Sequence, residues 1–211
     1  DGVMSRGLGD VYKRQIISRT QKDLNEVSKK IKKLKAKCKS YVCDITNYNE
    51  IKEIINKQPK IDILINNAGT SDPRRFKDLD EESWNYVLNT NLNGAYRVAK
   101  NFTDQLIKSK KSGSIVNIAS ILGLRVGFNL SSYATAKAGL IQLTKSMALE
   151  LARSTIRVNA IAPGYILTEI NDDFFATKEG QDYINNIPMR RLGLESDLDG
   201  ILLLLASDAS S

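Results

Sequence analysis

The chain has 211 residues, 42% of them hydrophobic, which is enough for one domain with a substantial core and does not call for a second. It contains no histidine, so Ser-His-Asp and Cys-His catalysis and any histidine-held metal are excluded within it, and no metal site is expected. Two cysteines, Cys38 and Cys43, make no disulfide framework and read as free thiols, no apolar run is long enough for a bilayer, and the net charge of +7 leaves an acidic partner to be considered.

The first segment, Asp1–Gln15, contains Ser5-Arg6-Gly7-Leu8-Gly9, which imitates the end of a phosphate-binding glycine turn. Between Gly9 and the first expected strand, Ile16–Arg19, lie only Asp10–Gln15. As a helix these would span about 9 Å, too little to cross a sheet and return, a connection that takes about a dozen residues or more. The expectation is therefore that residues 1–15 are a non-native head. Asp10-Val11-Tyr12-Lys13-Arg14-Gln15 can be back-translated into a sequencing-library adapter, and residues 16–211 would then be one truncated domain.

From Ile16 onward, apolar strands alternate with amphipathic helices. Strands are expected at Ile16–Arg19, Ser40–Asp44, Ile61–Asn66, Ser114–Ala119 and Ile156–Ile161. Helices are expected at Gln21–Ala36, Asn47–Asn56, Glu81–Lys110, Ser132–Arg153 and Asp197–Ala206. This alternation predicts an α/β fold with a doubly wound parallel sheet covered on both faces. In the first helix Leu24, Val27, Ile31 and Leu34 recur at helical spacing, with lysines between them. The basic stretch Lys22–Lys39 reads as a solvated face, and without interleaved aromatic residues it does not predict nucleic-acid binding.

The chemistry-bearing residues lie downstream. Tyr133 and Lys137 are four apart on an expected helix, one turn apart on one face. A free phenol is a poor acid or base at neutral pH; a neighbouring ammonium favours its phenolate. Ser120 ends an apolar strand, and its hydroxyl can hold a substrate oxygen against that phenol. The set suits proton transfer at a carbinol oxygen. Asn66-Asn67-Ala68-Gly69 follows another apolar strand, Asn91 lies in the next helix, and Arg157-Val158-Asn159-Ala160-Ile161-Ala162-Pro163-Gly164 runs from a strand into a loop.

In this order the segments resemble the short-chain dehydrogenase/reductase family, from about Ile16 to Ser211. The resemblance implies a Rossmann-type doubly wound parallel sheet. Here it would lack the family's first strand, with its glycine-rich loop, and the last strand. A fragment of that kind is expected to fold poorly or to bind cofactor weakly.

The resemblance implies that Tyr133 is the general acid/base. Lys137 lowers its pKa and bonds the nicotinamide ribose, Ser120 orients the substrate, and Asn91 holds a water linking Lys137 to solvent. It places Asp44 and Ile45 beside the adenine, and Asn66, Ala68 and Gly69 along the adenosine. Pro163, Gly164, Ile166 and Thr168 meet the carboxamide and pyrophosphate. At the end of the expected first strand stand Ser18 and Arg19, with no carboxylate before Asp23, which favours NADP(H) over NAD(H).

Ile121, Leu122, Leu124, Val126, Phe128, Tyr165 and Leu167 are expected around the substrate, under a mobile lid at Asn171–Met189. The apolar lining permits a 3-oxoacyl thioester reductase. A sugar-acid or polyol dehydrogenase resembling gluconate 5-dehydrogenases is the alternative, and a non-catalytic dinucleotide-binding protein is the alternative of another class. The resemblance further implies a cytoplasmic homodimer or homotetramer packed through the two long helices, with a small carbonyl or alcohol substrate and neither nucleic acid nor membrane as partner.

Overall fold

The computed structural model describes residues 13–57, 61–168 and 171–211. The expected glycine turn at Ser5–Gly9 lies outside them.

Strand β1 (Lys13–Ser18) leads through helix α1 (Gln21–Lys33) to β2 (Lys37–Val42), and α2 (Tyr48–Asn56) leads to β3 (Ile63–Asn66). Then α3 (Glu81–Leu88), a π-helical turn (Asn89–Gly94) and α4 (Ala95–Lys108) run as one rod to β4 (Gly113–Ile118). A long helix, α5 (Ser131–Leu151), precedes β5 (Ile156–Ile161), and α6 (Asp172–Ala176), α7 (Lys178–Asn186) and α8 (Asp199–Ala206) follow. β1 therefore takes in Lys13, Arg14 and Gln15, and β1 and β2 both start three residues ahead of the expected bounds. Their first residues are lysines, so hydropathy alone places the starts too late.

All ladders are parallel. β1 pairs with β2, and β3, β4 and β5 form a second sheet in that order. Among the described residues no ladder joins β1 to β3. The break falls between the two strands that, by the resemblance, flank the family's first strand. Side chains bridge it: Ile17 of β1 and Leu64 of β3 pack against one cluster of Cys43, Ile51, Ile55 and Val98. Burial, then the charge and hydrogen bond of Glu50, push the Cys43 thiol up to about 11. Both cysteines are free.

The three-stranded sheet is covered on both faces. Successive strand residues point to opposite sides. Ile115, Ile156 and Val158 join Ala99, Phe102 and Leu106 of α4, and Met147, Ala148 and Leu151 of α5 pack on the same cluster. Their neighbours Ser114 and Arg157, paired in the ladder, reach the opposite side. There the Ser114 hydroxyl donates to Leu205 O at 2.8 Å. Arg157 donates to Leu205 O at 3.0 Å, Ser207 O at 2.8 Å and Ser210 Oγ at 2.6 Å. One guanidinium thus caps the carbonyl end of α8, where a cation is favoured.

The helices keep to their signals. Asn47 accepts from the backbone of Asn49 and Glu50 to start α2, and Asp80 accepts from Ser83 N at 2.7 Å to start α3. In α1 the expected apolar stripe is only partly used: Leu24 is buried, whereas Val27 and Leu34 are exposed. Among the described residues no helix is long and apolar enough to cross a membrane.

Candidate active site

The C-terminal ends of β3, β4 and β5 and the first turns of α5 bring the expected residues together. The π-helical turn sets Asn91. A π turn shifts the hydrogen-bond register and leaves a carbonyl without its usual partner. The Asn91 amide fills that place, donating to Val87 O at 2.9 Å and to Thr70 O at 2.8 Å, while Oδ1 accepts from Thr70 N at 3.2 Å. Asn91 is 1% exposed; its bond to Val87 O is buried and the two to Thr70 are partly so. It staples the loop after β3 to the α3–α4 rod. At Gly69 a Cβ would come within 2.8 Å of Asn91 Oδ1 and 3.7 Å of Lys137 Nζ. Only a glycine lets the backbone pass this close, and Asn67, Ala68 and Gly69 form an exposed shelf against the site.

Ser120 sits at the end of β4 in extended conformation. Its Oγ accepts from Leu122 N at 3.1 Å, which starts the short turn Ile121–Gly123. Its proton remains available, and it bonds the Tyr133 side chain. Lys137 lies one turn beyond Tyr133 in α5, with Nζ 5.6 Å from the Tyr133 ring centre. Nζ donates to Ile118 O at 2.7 Å.

The electrostatics differ from the sequence expectation that Lys137 lowers the phenol's pKa. Burial raises the Tyr133 phenol above its ordinary value, and the Ser120 bond offsets only part of that. Burial also pushes the Lys137 ammonium down to about 8. The same dry pocket that brings the two groups together penalises both charged forms, and the amine is turned onto a carbonyl.

Asn66 also departs from the expectation. Its amide points inward, donating to Asn117 Oδ1 at 2.9 Å and Ala95 O at 3.3 Å. The side chain therefore ties β3 to β4 and does not wall the adenosine side. The chain of bonds continues: Asn117 Nδ2 donates to Thr144 Oγ1 at 2.9 Å, which donates to Leu140 O at 2.7 Å. Asn117 and Thr144 hold the rear of the site, and the sequence reading passes over both. Their signals were present: an amide in the middle of an apolar strand, and a threonine two turns from Lys137 on the same helix face.

At the ends of β1 and β2 a second polar group forms. Burial alone would raise the Asp44 carboxyl, but bonds from Thr46 and the charges of Arg19 and Arg97 hold it below the usual range. Thr70 Oγ1 donates to the Tyr86 hydroxyl at 3.4 Å, and bonds from Thr70 and Arg19 lower that phenol. Arg19, Asp44, Thr70 and Tyr86 thus meet at one end of the shelf, and Tyr86 is a member that sequence reasoning did not name. Ser18 bonds Thr20 N at 3.3 Å, and Ile45 packs on the cluster between the sheets. At the other end the loop after β5 carries Pro163, Gly164, Ile166 and Thr168, with Ile166 paired to Gly193. A Cβ on Gly164 would meet nothing, so the loop is open there. A basic end, a flat backbone shelf and an open loop fit an extended dinucleotide.

The expected substrate lining divides. Leu122 is buried and packs as core, whereas Leu124, Val126 and Phe128 are 67%, 92% and 98% exposed. The segment expected as a lid is mostly helical, as α6 and α7.

The family model for short chain dehydrogenases matches residues 6–179. The chain belongs to the short chain dehydrogenase family. Among its relatives, a 3-oxoacyl-(acyl-carrier-protein) reductase of Thermotoga maritima is 36% identical over 196 residues, 91% of this chain and 79% of that protein. One from Chlamydia pneumoniae is 38% identical over 165 residues, 76% of this chain and 64% of the relative. Among solved structures, a gluconate 5-dehydrogenase from Burkholderia cenocepacia, in complex with NADP and tartrate, superposes with a TM-score of 0.85 at 27% identity, covering 93% of this chain and 78% of that one. An NAD+-bound xylitol dehydrogenase superposes at 0.84 with 30% identity, covering 94% and 84%. Fold and family therefore agree with the resemblance read from the sequence.

Proposed function

We propose that this short chain dehydrogenase interconverts a ketone and a secondary alcohol with NADP(H), Tyr133 serving as the acid/base. The observation that carries the reading is the convergence of Asn91, Ser120, Tyr133 and Lys137 on the Asn67–Gly69 shelf. The dinucleotide, when bound, supplies or accepts the hydride. Arg19, Asp44 and Ile45 would hold its adenosine end, with Ala68 and Gly69 beneath it. Pro163, Gly164, Ile166, Thr168, Tyr133 and Lys137 would hold the nicotinamide end.

The chain's own residues handle the proton. In reduction, the substrate oxygen lies between Ser120 Oγ and the Tyr133 hydroxyl. Tyr133 is protonated at neutral pH and gives its proton to the oxygen as charge develops there; in oxidation it takes the proton back. Ser120 fixes the oxygen in place, because its other bond, to Leu122 N, locks the hydroxyl's position. Lys137, with its value near 8, exchanges protons readily near neutrality and supports the transient phenolate. Asn91 holds the loop that frames Lys137 and carries the water that connects the amine to solvent.

The substrate class we favour is a 3-oxoacyl thioester, from the reductase relatives and from the exposed apolar Leu124, Val126 and Phe128 on the segment that follows Ser120. A gluconate-type substrate is the second reading, favoured by the gluconate 5-dehydrogenase neighbour. The protein is expected to act in the cytoplasm as a homodimer or homotetramer.

The test is turnover of acetoacetyl-N-acetylcysteamine with NADPH and of gluconate with NADP, in wild type and two variants. Tyr133→Phe is expected to lower kcat by about 10²- to 10⁴-fold and leave NADPH affinity within about twofold. Arg19→Ala is expected to weaken NADPH about tenfold and NADH little. Wild-type turnover in the Tyr133→Phe variant would overturn the mechanism.

A further inference from the structure

Tyr165 follows Pro163-Gly164 and takes no part in the proton transfer, yet among the described residues its surroundings are the most aromatic. Its ring meets Tyr183 of α7 at a centroid distance of 4.8 Å and 67°, and Phe175 of α6 at 5.7 Å and 83°. Phe175, 3% exposed, also meets Phe174 at 5.0 Å and Tyr183 at 6.3 Å. Edge-on rings at such spacings attract beyond their buried area.

The helices held this way cannot stand alone. α6 has 5 residues and α7 has 9, short of what makes an isolated helix stable. They touch backbone to backbone: a Cβ on Gly180 would lie 2.2 Å from Phe174 O and 2.6 Å from Phe175 Cα. Gln181 Nε2 donates to Phe175 O at 2.6 Å, so the pair moves as one body. The backbone of Tyr165 holds the chain on its return, since Gly193 N donates to Tyr165 O at 2.9 Å and Leu167 N donates to Gly193 O at 3.0 Å.

The loop that carries Tyr165 is tied to the turn after Ser120, since Ile121 N donates to Pro163 O at 2.8 Å. Burial, the bond to Tyr183 and the charges of Tyr183 and Tyr133 keep the Tyr165 hydroxyl protonated well above the ordinary phenol range, so it does not compete with Tyr133 for the proton.

We propose that Tyr165 is a positioning residue, a latch whose ring clamps α6 and α7 to the loop after β5 and so sets how tightly the carbonyl or alcohol substrate is held. The substrate half of this inference rests on the oxidoreductase reading above; the latch itself does not. The clamp is made by ring contact, and the hydroxyl is secondary.

The experiment is hydrogen exchange on the full chain, with KM and kcat for acetoacetyl-N-acetylcysteamine in parallel. Tyr165→Ala speeds exchange in residues 172–186 about tenfold and leaves residues 131–151 within about twofold. It raises KM at least about fivefold with kcat within about twofold, the pattern of lost substrate binding. Tyr165→Phe restores both. Phe175→Ala, from the helix side, reproduces the faster exchange, and the double variant is no looser than Tyr165→Ala alone. Unchanged exchange of residues 172–186 in both single alanine variants overturns the latch, as does a Phe variant as loose as the Ala variant. A responsive lid in a protein that reduces no carbonyl compound supports the latch and overturns the oxidoreductase reading.

Discussion

The two sheets make unequal use of the same β-α repeat. In β4, Ile115, Val116 and Asn117 are at most 1% exposed, covered by α4 and α5 on one face and by α8 on the other. In β2, Lys37, Lys39 and Ser40 are exposed and Val42 is 52% exposed. The three-stranded sheet is flanked on both faces and stitched by side-chain bonds from Asn66 through Asn117 to Thr144, the last of them buried. The β1–β2 sheet has α1 with a half-used stripe, a lysine-rich edge and the single bridging cluster around Ile51. Proton transfer needs groups held to within a fraction of an ångström before substrate arrives. The adenosine end needs charges of the right sign, which a ligand can itself draw into order.

The comparison breaks most sharply under core truncation. Phe102→Ala, in the cluster under β4 and β5, is expected to cost about 3–5 kcal/mol. Val42→Ala in β2 should cost under about 1 kcal/mol. Urea unfolding of both variants measures the gap, and equal costs would mean that the two sheets are equally consolidated.

Next in size is the pH dependence built into the site. Lys137 is brought down to about 8 from 10.5. Between those values the unfolded chain binds the extra proton and the folded one does not, so this group's contribution to stability rises with pH from about 8 to 10.5. Relative to wild type, Lys137→Met should remove up to about 3 kcal/mol of that rise and be the more stable protein near pH 7. Parallel stability curves for the two proteins would mean that Lys137 is solvated. Cys43 acts in the opposite sense from pH 9 to about 11, which is why the difference between the two proteins is the useful quantity.

A smaller effect is expected on the α8 side of the three-stranded sheet. Arg157→Ala removes two bonds to the end of α8 and one to Ser210 beyond it and should cost about 1–3 kcal/mol, with faster exchange in residues 199–206 and little change at Tyr133. An unchanged exchange rate there would leave α8 held by its leucines alone.

Much of this was legible beforehand. Tyr133 and Lys137 share a helix face by spacing alone, and Ser120 ends a strand whose apolar run announces it. The strand Ile156–Ile161 is read to the residue, because both its ends coincide with a change in hydropathy. The starts of β1 and β2 were missed, since lysines at an exposed sheet edge are paired by backbone and carry no hydropathy signal. α6 and α7 were missed for a related reason: such short helices owe their existence to the rings of Tyr165, Phe175 and Tyr183, which meet only after folding.

What the sequence by itself determined is the order and spacing of the candidate site residues, because local periodicity and motif spacing are properties of neighbouring residues. What only the tertiary structure decided is their environment. The inward turn of the Asn66 amide, the break between β1 and β3, the burial that brings Lys137 near 8, and the meeting of Arg19 with Tyr86 all depend on residues distant in the chain. Desolvation and packing are set by everything that surrounds a group, and no local stretch of sequence contains that sum.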